Sequence, residues 1–167
     1  CIEMGASMIN DISGGNLDAK MHETVAKYKI PYVMMHMRGT PETMQKNSHY
    51  KNIVTEVLSF FSQQTKAATN AGIQDILIDP GFGFGKTLEQ NYTLFNNLNQ
   101  FETLGCPLLI GVSRKSMIYK LLDTTPQEAL NGTTALNALA LDRGAQILRV
   151  HDVKEAKECV DLWLALQ

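Results

Sequence analysis

An α/β fold of parallel strands, read as part of a (β/α)8 barrel, is what this sequence predicts. Five short apolar runs recur along the chain, segments of helical period lie between them, and polar residues gather just past the carboxyl ends of the runs. Brief, nearly continuous hydrophobic runs are what strands covered on both faces require, and their alternation with helices implies parallel crossovers.

The first run is ASMIN at 6–10, closed by Asn10 and Asp11, and the second is PYVMMH at 31–36, closed by His36. Ile53, Val54, Val57, Leu58 and Phe61 then recur at helical spacing. DILIDP at 75–80 places Asp79 at the end of the third run, and PLLIGV at 107–112 leads into Ser113, Arg114 and Lys115. QILRV at 146–150 opens the stretch Arg149–Asp152, after which Val153, Ala156, Val160, Trp163 and Leu164 mark a final helix with Asp152 and Glu155 as its expected capping box. Gly72, Gly105 and Gly144 stand shortly before strands, where they would stop the preceding helices. An open doubly wound sheet concentrates its polar residues at one switch point, whereas a barrel gathers them from every strand end at one mouth. The second pattern is the one seen, and five units leave such a barrel three short.

The chain of 167 residues, 44% hydrophobic, suits one domain spanning 1–167 with a substantial core. A net charge of -2 argues against a nucleic-acid partner, and no apolar stretch is long enough to span a bilayer, so a cytoplasmic location is expected. Cys1, Cys106 and Cys159 are an odd, unpaired set that fits reduced thiols. Opening on Cys1 suggests a processed chain or a fragment.

IDPGFGFGKT at 78–87 has the outline of a phosphate loop without its substance. Pro80 stands where the first glycine of a Walker loop belongs and has no amide hydrogen to donate, and Lys86 stands where a dinucleotide loop needs its third glycine. Attention therefore passes to Asp79. A carboxylate ending a buried strand needs a cationic or multi-donor partner, and the forked N–H edge of an aminopyrimidinone would serve as a guanidinium does. The alternative is a turn aspartate ahead of Pro80. Gly81, Gly83 and Gly85 let the backbone approach a ligand, with Phe82 and Phe84 beside it.

Asn10 could read the edge of a polar heterocycle or simply make a turn. Arg114 and Lys115 in SRKS make a candidate anion site at a helix start, or a solvated basic turn. Arg149 and His151 alternate along a strand end and point the same way, as a pyrophosphate site would require; a histidine bonded to backbone competes with that reading. Met34 and Met35 read as packing, and His36 as a residue satisfied by a neighbour. No Cys, His or Glu set has metal-ligand spacing, and Ser113 lies in no nucleophile elbow.

MINDISGG, VMMHMRGTPETMQ, DPGFGFGKTLEQNYTLFNNL, GVSRKSMI and RVHDVKEA, in that order, resemble the strand-end motifs of the dihydropteroate synthase family across nearly the whole chain. The resemblance implies a (β/α)8 barrel of which this chain holds about strands 4 to 8. It implies an enzyme joining p-aminobenzoate to a dihydropterin that carries a hydroxymethyl pyrophosphate. Carried over by motif, Asn10, Met34, Asp79 and Lys115 would bind the pterin, and Gly83, Phe84, Lys115 and Ser116 the p-aminobenzoate. Arg149 and His151 would bind pyrophosphate, and Lys115, Asp79, Arg149 and His151 form the expected catalytic set. Magnesium is the implied cofactor, with ligands mainly from elements this chain lacks, and a homodimer the implied assembly. The family's motifs for the first three strands have no counterpart here. The isolated chain is therefore expected to show an unfilled barrel interior and to be unstable or inactive. A methyltetrahydrofolate–corrinoid methyltransferase domain and a non-catalytic pterin-binding module remain the alternatives. A sugar-phosphate isomerase on the same barrel lacks its catalytic base.

Overall fold

The computed structural model describes residues 1–44 and 48–167; Gln45, the last residue of the second motif, lies outside the described residues. Its strands are β1 (Ile9–Asp11), β2 (Tyr32–Met35), β3 (Ile76–Asp79), β4 (Leu109–Ile110) and β5 (Ile147–Leu148). All their pairings are parallel. One ladder runs β1-β2-β3 and another β4-β5, and a parallel bridge between Ile78 and Leu108 joins them. Spatial order thus follows chain order, without the reversal that defines a doubly wound sheet.

The helices are α1 (Met21–Tyr28), α2 (Ile53–Asn70), α3 (Leu88–Asn96), α4 (Ser116–Tyr119), α5 (Leu130–Asp142) and α6 (Val153–Leu164). Between β4 and β5 the chain forms both α4 and α5, one helix more than simple alternation predicts. A 3-10 segment, Leu98–Leu104, follows α3 and stops at Gly105 in the left-handed region, as the sequence led us to expect. The capping box expected at α6 does not form: Asp152 makes no side-chain cap, because its carboxylate is bound elsewhere. Among the described residues no helix is long and apolar enough to cross a membrane.

Strand periodicity divides the side chains into two layers. Tyr32, Met34, Ile76, Ile78, Leu108 and Ile110 face the helices and pack with Val57, Phe61, Leu94 and Phe101 in the main core. Val33, Leu77 and Leu109 form a second, inner cluster, with Ile147 packed against it. An unfilled interior was expected, yet these three inner residues are buried. Curling of the sheet brings them over one another. Its extent can be judged at the rim, where the Arg149 guanidinium after β5 comes within 3.4 Å of the Asn10 side chain on β1. Four strand spacings in a flat sheet would separate those strands by about 19 Å, beyond the reach of one arginine.

Candidate active site

Register decides which side chains meet at the carboxyl ends of the strands. Asn10 pairs with Val33, and Met35 with Asp79, so all of these share the inner face. Met34, expected at the pterin site, is one residue out of phase and lies fully buried on the helix side. Met35 takes the inner position that sequence reading gave to Met34, and only the pairing reveals the exchange.

Asp79 is 0% exposed. Its Oδ1 accepts the Gly81 amide at 2.8 Å. Arg149 Nη2 lies 3.0 Å from Oδ2, making an ion pair, but no N–H is aimed along that line, and Oδ2 has no directed donor. The same guanidinium donates to Asn10 Oδ1 through Nη1. Arg149 can lie there because β4 is followed by Gly111, where a Cβ would stand 2.6 Å from Nη2. A buried carboxylate is therefore charge-compensated while retaining an unused acceptor, an arrangement suited to a ligand that brings its own N–H groups.

The loop after β3 is held by Gly81 and by Lys86, Thr87 and Asn91, which sequence reading left without a role. Gly81 passes so close to β2 that a Cβ would lie 2.0 Å from the His36 carbonyl oxygen, and its φ of +71° also favours glycine. Lys86 is buried and donates to the carbonyls of Gly81 (2.9 Å), Phe84 (3.1 Å) and His36 (3.3 Å). Burial draws its ammonium down to about 7, with Asp79 opposing and Lys115 and Arg38 adding to the fall. Thr87 accepts the Gln90 amide while Gln90 accepts the Thr87 amide, a capping box that starts α3. The Lys-Thr pair that imitates a phosphate loop thus shapes this turn and caps the next helix. Asn91, also buried, accepts the Gly83 amide at 2.8 Å.

Lys115 stands across the mouth, its Nζ donating to the Phe82 carbonyl at 2.6 Å and lying 5.1 Å from the centre of the Phe84 ring. Burial lowers its ammonium to about 8, against the pull of Asp79 and with the repulsion of Arg149. Gly83 and Ser116 line a cavity of about 390 Å³ with Asn91, Tyr119 and Lys120. Larger hollows lie between α5 and α6 and beneath β5, lined mainly by apolar side chains and by none of the residues expected at the site.

The loops after β4 and β5 are joined by two adjacent rungs. Arg114 grips both carboxylate oxygens of Asp152 at 2.8 and 2.9 Å, a structural ion pair and neither of the two alternatives weighed for it, the anion site or the solvated turn, and only Lys115 of that basic turn faces the mouth. The other rung joins Ser113 to His151, whose Nδ1 is 2.9 Å from the Ser113 hydroxyl. Arg149 and His151 are thus held by different neighbours, one by Asp79 and Asn10 and the other by Ser113. His36 is buried against Phe60, with ring centres 4.9 Å apart, and burial, Lys86 and Arg38 hold its imidazole well below the ordinary range. It is a core residue. Asp11 accepts from Ser13, Gly15 and the Tyr32 hydroxyl, which outweigh its burial and lower its carboxyl below the usual range.

A hard dication needs several oxygen ligands. Among the described residues no three His, Cys, Asp or Glu side chains stand together, and the carboxylate at the mouth, Asp79, is engaged by Arg149. The described residues do not by themselves make a magnesium site.

The family model described as "Pterin binding enzyme" matches residues 1–151. The chain belongs to the pterin-binding enzyme family. A dihydropteroate synthase of Synechocystis is 44% identical over 92% of this chain. The dihydropteroate synthase structure from Thermus thermophilus in complex with 6HMPPP is 37% identical and superposes with a TM-score of 0.95 over 99% of this chain and 66% of its own. The same score and identity hold for the Thermus thermophilus enzyme in complex with 4-aminobenzoate, over 68% of that chain. The chain spans about half the length of the curated relatives it matches, 54% in the Synechocystis case.

Proposed function

We propose that this chain provides the carboxyl-terminal five βα units, about strands 4 to 8, of a (β/α)8-barrel dihydropteroate synthase. The reaction condenses p-aminobenzoate with 6-hydroxymethyl-7,8-dihydropterin pyrophosphate, giving 7,8-dihydropteroate and pyrophosphate. The observation carrying this reading is Asp79, fully buried yet with Oδ2 lacking a directed donor, and paired at the rim with Arg149, whose guanidinium also reaches Asn10. Relatives bearing that activity and the sequential, curled parallel sheet support it.

In this reading Asp79 accepts the forked N–H edge of the pterin, with Asn10 beside it and Met35 closing the inner face. The C–O bond to the pyrophosphate breaks and its electron pair leaves with that group, while the electron-rich pterin stabilises the carbon left behind. Arg149 and His151 stabilise the negative charge as it develops, which is where fixed cations and donors act most strongly. The aniline nitrogen, oriented by the Gly83 and Ser116 cavity, attacks the methylene carbon and then loses a proton. Lys115 lies between the two ligands, near Phe84 and the end of β3. Magnesium and further ligand contacts would come from the amino-terminal units. The synthase activity belongs to the completed barrel.

A homodimer is part of the proposal, supported by the apolar hollow of about 830 Å³ between α5 and α6, where Trp163, Leu162 and Ala138 line its wall. A cytoplasmic location is supported by the three free cysteines.

The test is R149A in the full-length protein, with calorimetric binding of the pterin pyrophosphate and of methyltetrahydrofolate. Loss of about 2 kcal/mol or more for the pyrophosphate ligand is expected, since one partner of a charge-assisted contact is removed. An unchanged affinity would favour a methyltransferase or a plain pterin-binding module.

A further inference from the structure

We infer that Ser113 is a positioning residue that fixes the tautomer of His151, making its Nε2 a hydrogen-bond donor to the diphosphate. The ligand half of this inference rests on the function proposed above; the tautomer half stands on the geometry alone.

Ser113 lies three residues past the end of β4 and is 3% exposed. Its Oγ accepts the backbone N–H of His151 at 3.2 Å and lies 2.9 Å from the Nδ1 of the same residue. A hydroxyl has a single proton, and buried hydroxyls place it on an acceptor. Among the described hydrogen bonds Nδ1 is the acceptor within its reach. With Ser113 donating, Nδ1 must carry the lone pair, and an uncharged imidazole then bears its proton on Nε2. His151 is exposed, so Nε2 is the ring nitrogen left to meet a ligand, and it meets it as a donor. The opposite arrangement, Nδ1–H toward Oγ, would strand the buried serine proton.

The neighbouring rung keeps this contact in place. Arg114, with φ at 53°, adopts the left-handed conformation, uncommon for a residue with a side chain. That turn lets Ser113 and Arg114 face the same loop rather than alternate. Arg114 then engages Asp152, the residue after His151, through both carboxylate oxygens. Its amide donates to Thr133 Oγ1 at 3.0 Å, and its Nη1 to the Pro126 carbonyl at 2.9 Å, tying both rungs to the start of α5. A strained backbone held by an ion pair, beside a histidine with one nitrogen already occupied, is how a donor is aimed before its ligand arrives.

Histidine-labelled full-length protein, studied by long-range proton–nitrogen correlation at alkaline pH with His151→Asn for assignment, reads the tautomer directly. The expected result is Nε2–H in the unmodified protein, a mixture in Ser113→Ala, and Nε2–H again in Ser113→Thr, which keeps the hydroxyl. Calorimetry with inorganic pyrophosphate should show Kd raised about tenfold in Ser113→Ala and restored in Ser113→Thr, the scale of one hydrogen bond. An Nδ1–H tautomer in the unmodified protein overturns the inference. So does a Ser113→Ala protein with unchanged spectrum and affinity, or a Ser113→Thr protein that restores neither. If the unmodified protein binds no pyrophosphate, the diphosphate reading falls, while the histidine spectrum still decides the role of Ser113.

Discussion

The Asp79–Arg149 pair should be energetically coupled by about 2 kcal/mol, on the scale reasoned from Coulomb's law and its screening. At the observed separation of 3.0 Å, two unit charges interact by about 5.5 kcal/mol at an effective dielectric near 20 and by about 1.4 kcal/mol in water. Asp79 belongs to the first regime, being fully buried, and Arg149, with 38% of its side chain exposed, leans toward the second. The off-line geometry at Oδ2 removes the gain of a directed hydrogen bond. Arg149→Met strands a buried charge and should destabilise by about 3 kcal/mol, less than the full penalty for breaking a wholly buried pair. Asp79→Asn should cost about 1 kcal/mol, because an asparagine can still accept from Gly81 and the arginine is left partly in water. The double variant should then lose about 2 kcal/mol instead of the additive 4. Urea unfolding of the four full-length proteins, with unchanged m-values, measures the cycle. Losses that add to within about 0.5 kcal/mol would refute the argument, since they would mean that Arg149 does not compensate Asp79.

Two further outcomes follow from the same site. Lys115 ionises near 8 in the folded chain and near 10.5 when unfolded, so between those values the folded state has already released a proton that the unfolded state keeps. Stability should therefore rise with pH through that window, and Lys115→Met should flatten the rise in urea midpoints measured from neutral to alkaline pH. Asn91→Leu removes the acceptor of the Gly83 amide and should cost about 2 kcal/mol, and because that amide borders the Ser116 cavity, calorimetry should show weaker 4-aminobenzoate binding. Unchanged affinity would separate the cavity from that ligand.

Much of the architecture was legible without coordinates because parallel, doubly covered strands leave a direct trace: short apolar runs with a polar residue at each carboxyl end. Asp79 could be singled out for the same reason, as a carboxylate ending a buried run needs an explanation that a surface aspartate does not. The roles of Lys86 and Thr87 were not legible. Their spacing copies a phosphate loop, and the three carbonyls that Lys86 binds belong to Gly81 and Phe84 in its own turn and to His36 fifty residues earlier. The capping role expected of Asp152 failed because Arg114, thirty-eight residues earlier in the chain, engages both of its carboxylate oxygens.

By itself the sequence determined the kind of fold, the order of its units and the motifs at the strand ends, since these depend on local periodicity and on residue chemistry. Which residue of each strand faces inward was decided by tertiary structure, because a shift of one position in the pairing exchanges the two faces and so puts Met35, and not Met34, beside Asp79. Tertiary structure alone also set Arg149 on Asp79 and Asn10, Arg114 on Asp152, and Ser113 on His151. Those partners are 38 to 139 residues apart in the chain; Arg149 reaches Asn10 because the sheet curls, and the other two pairs meet because β4 and β5 lie side by side.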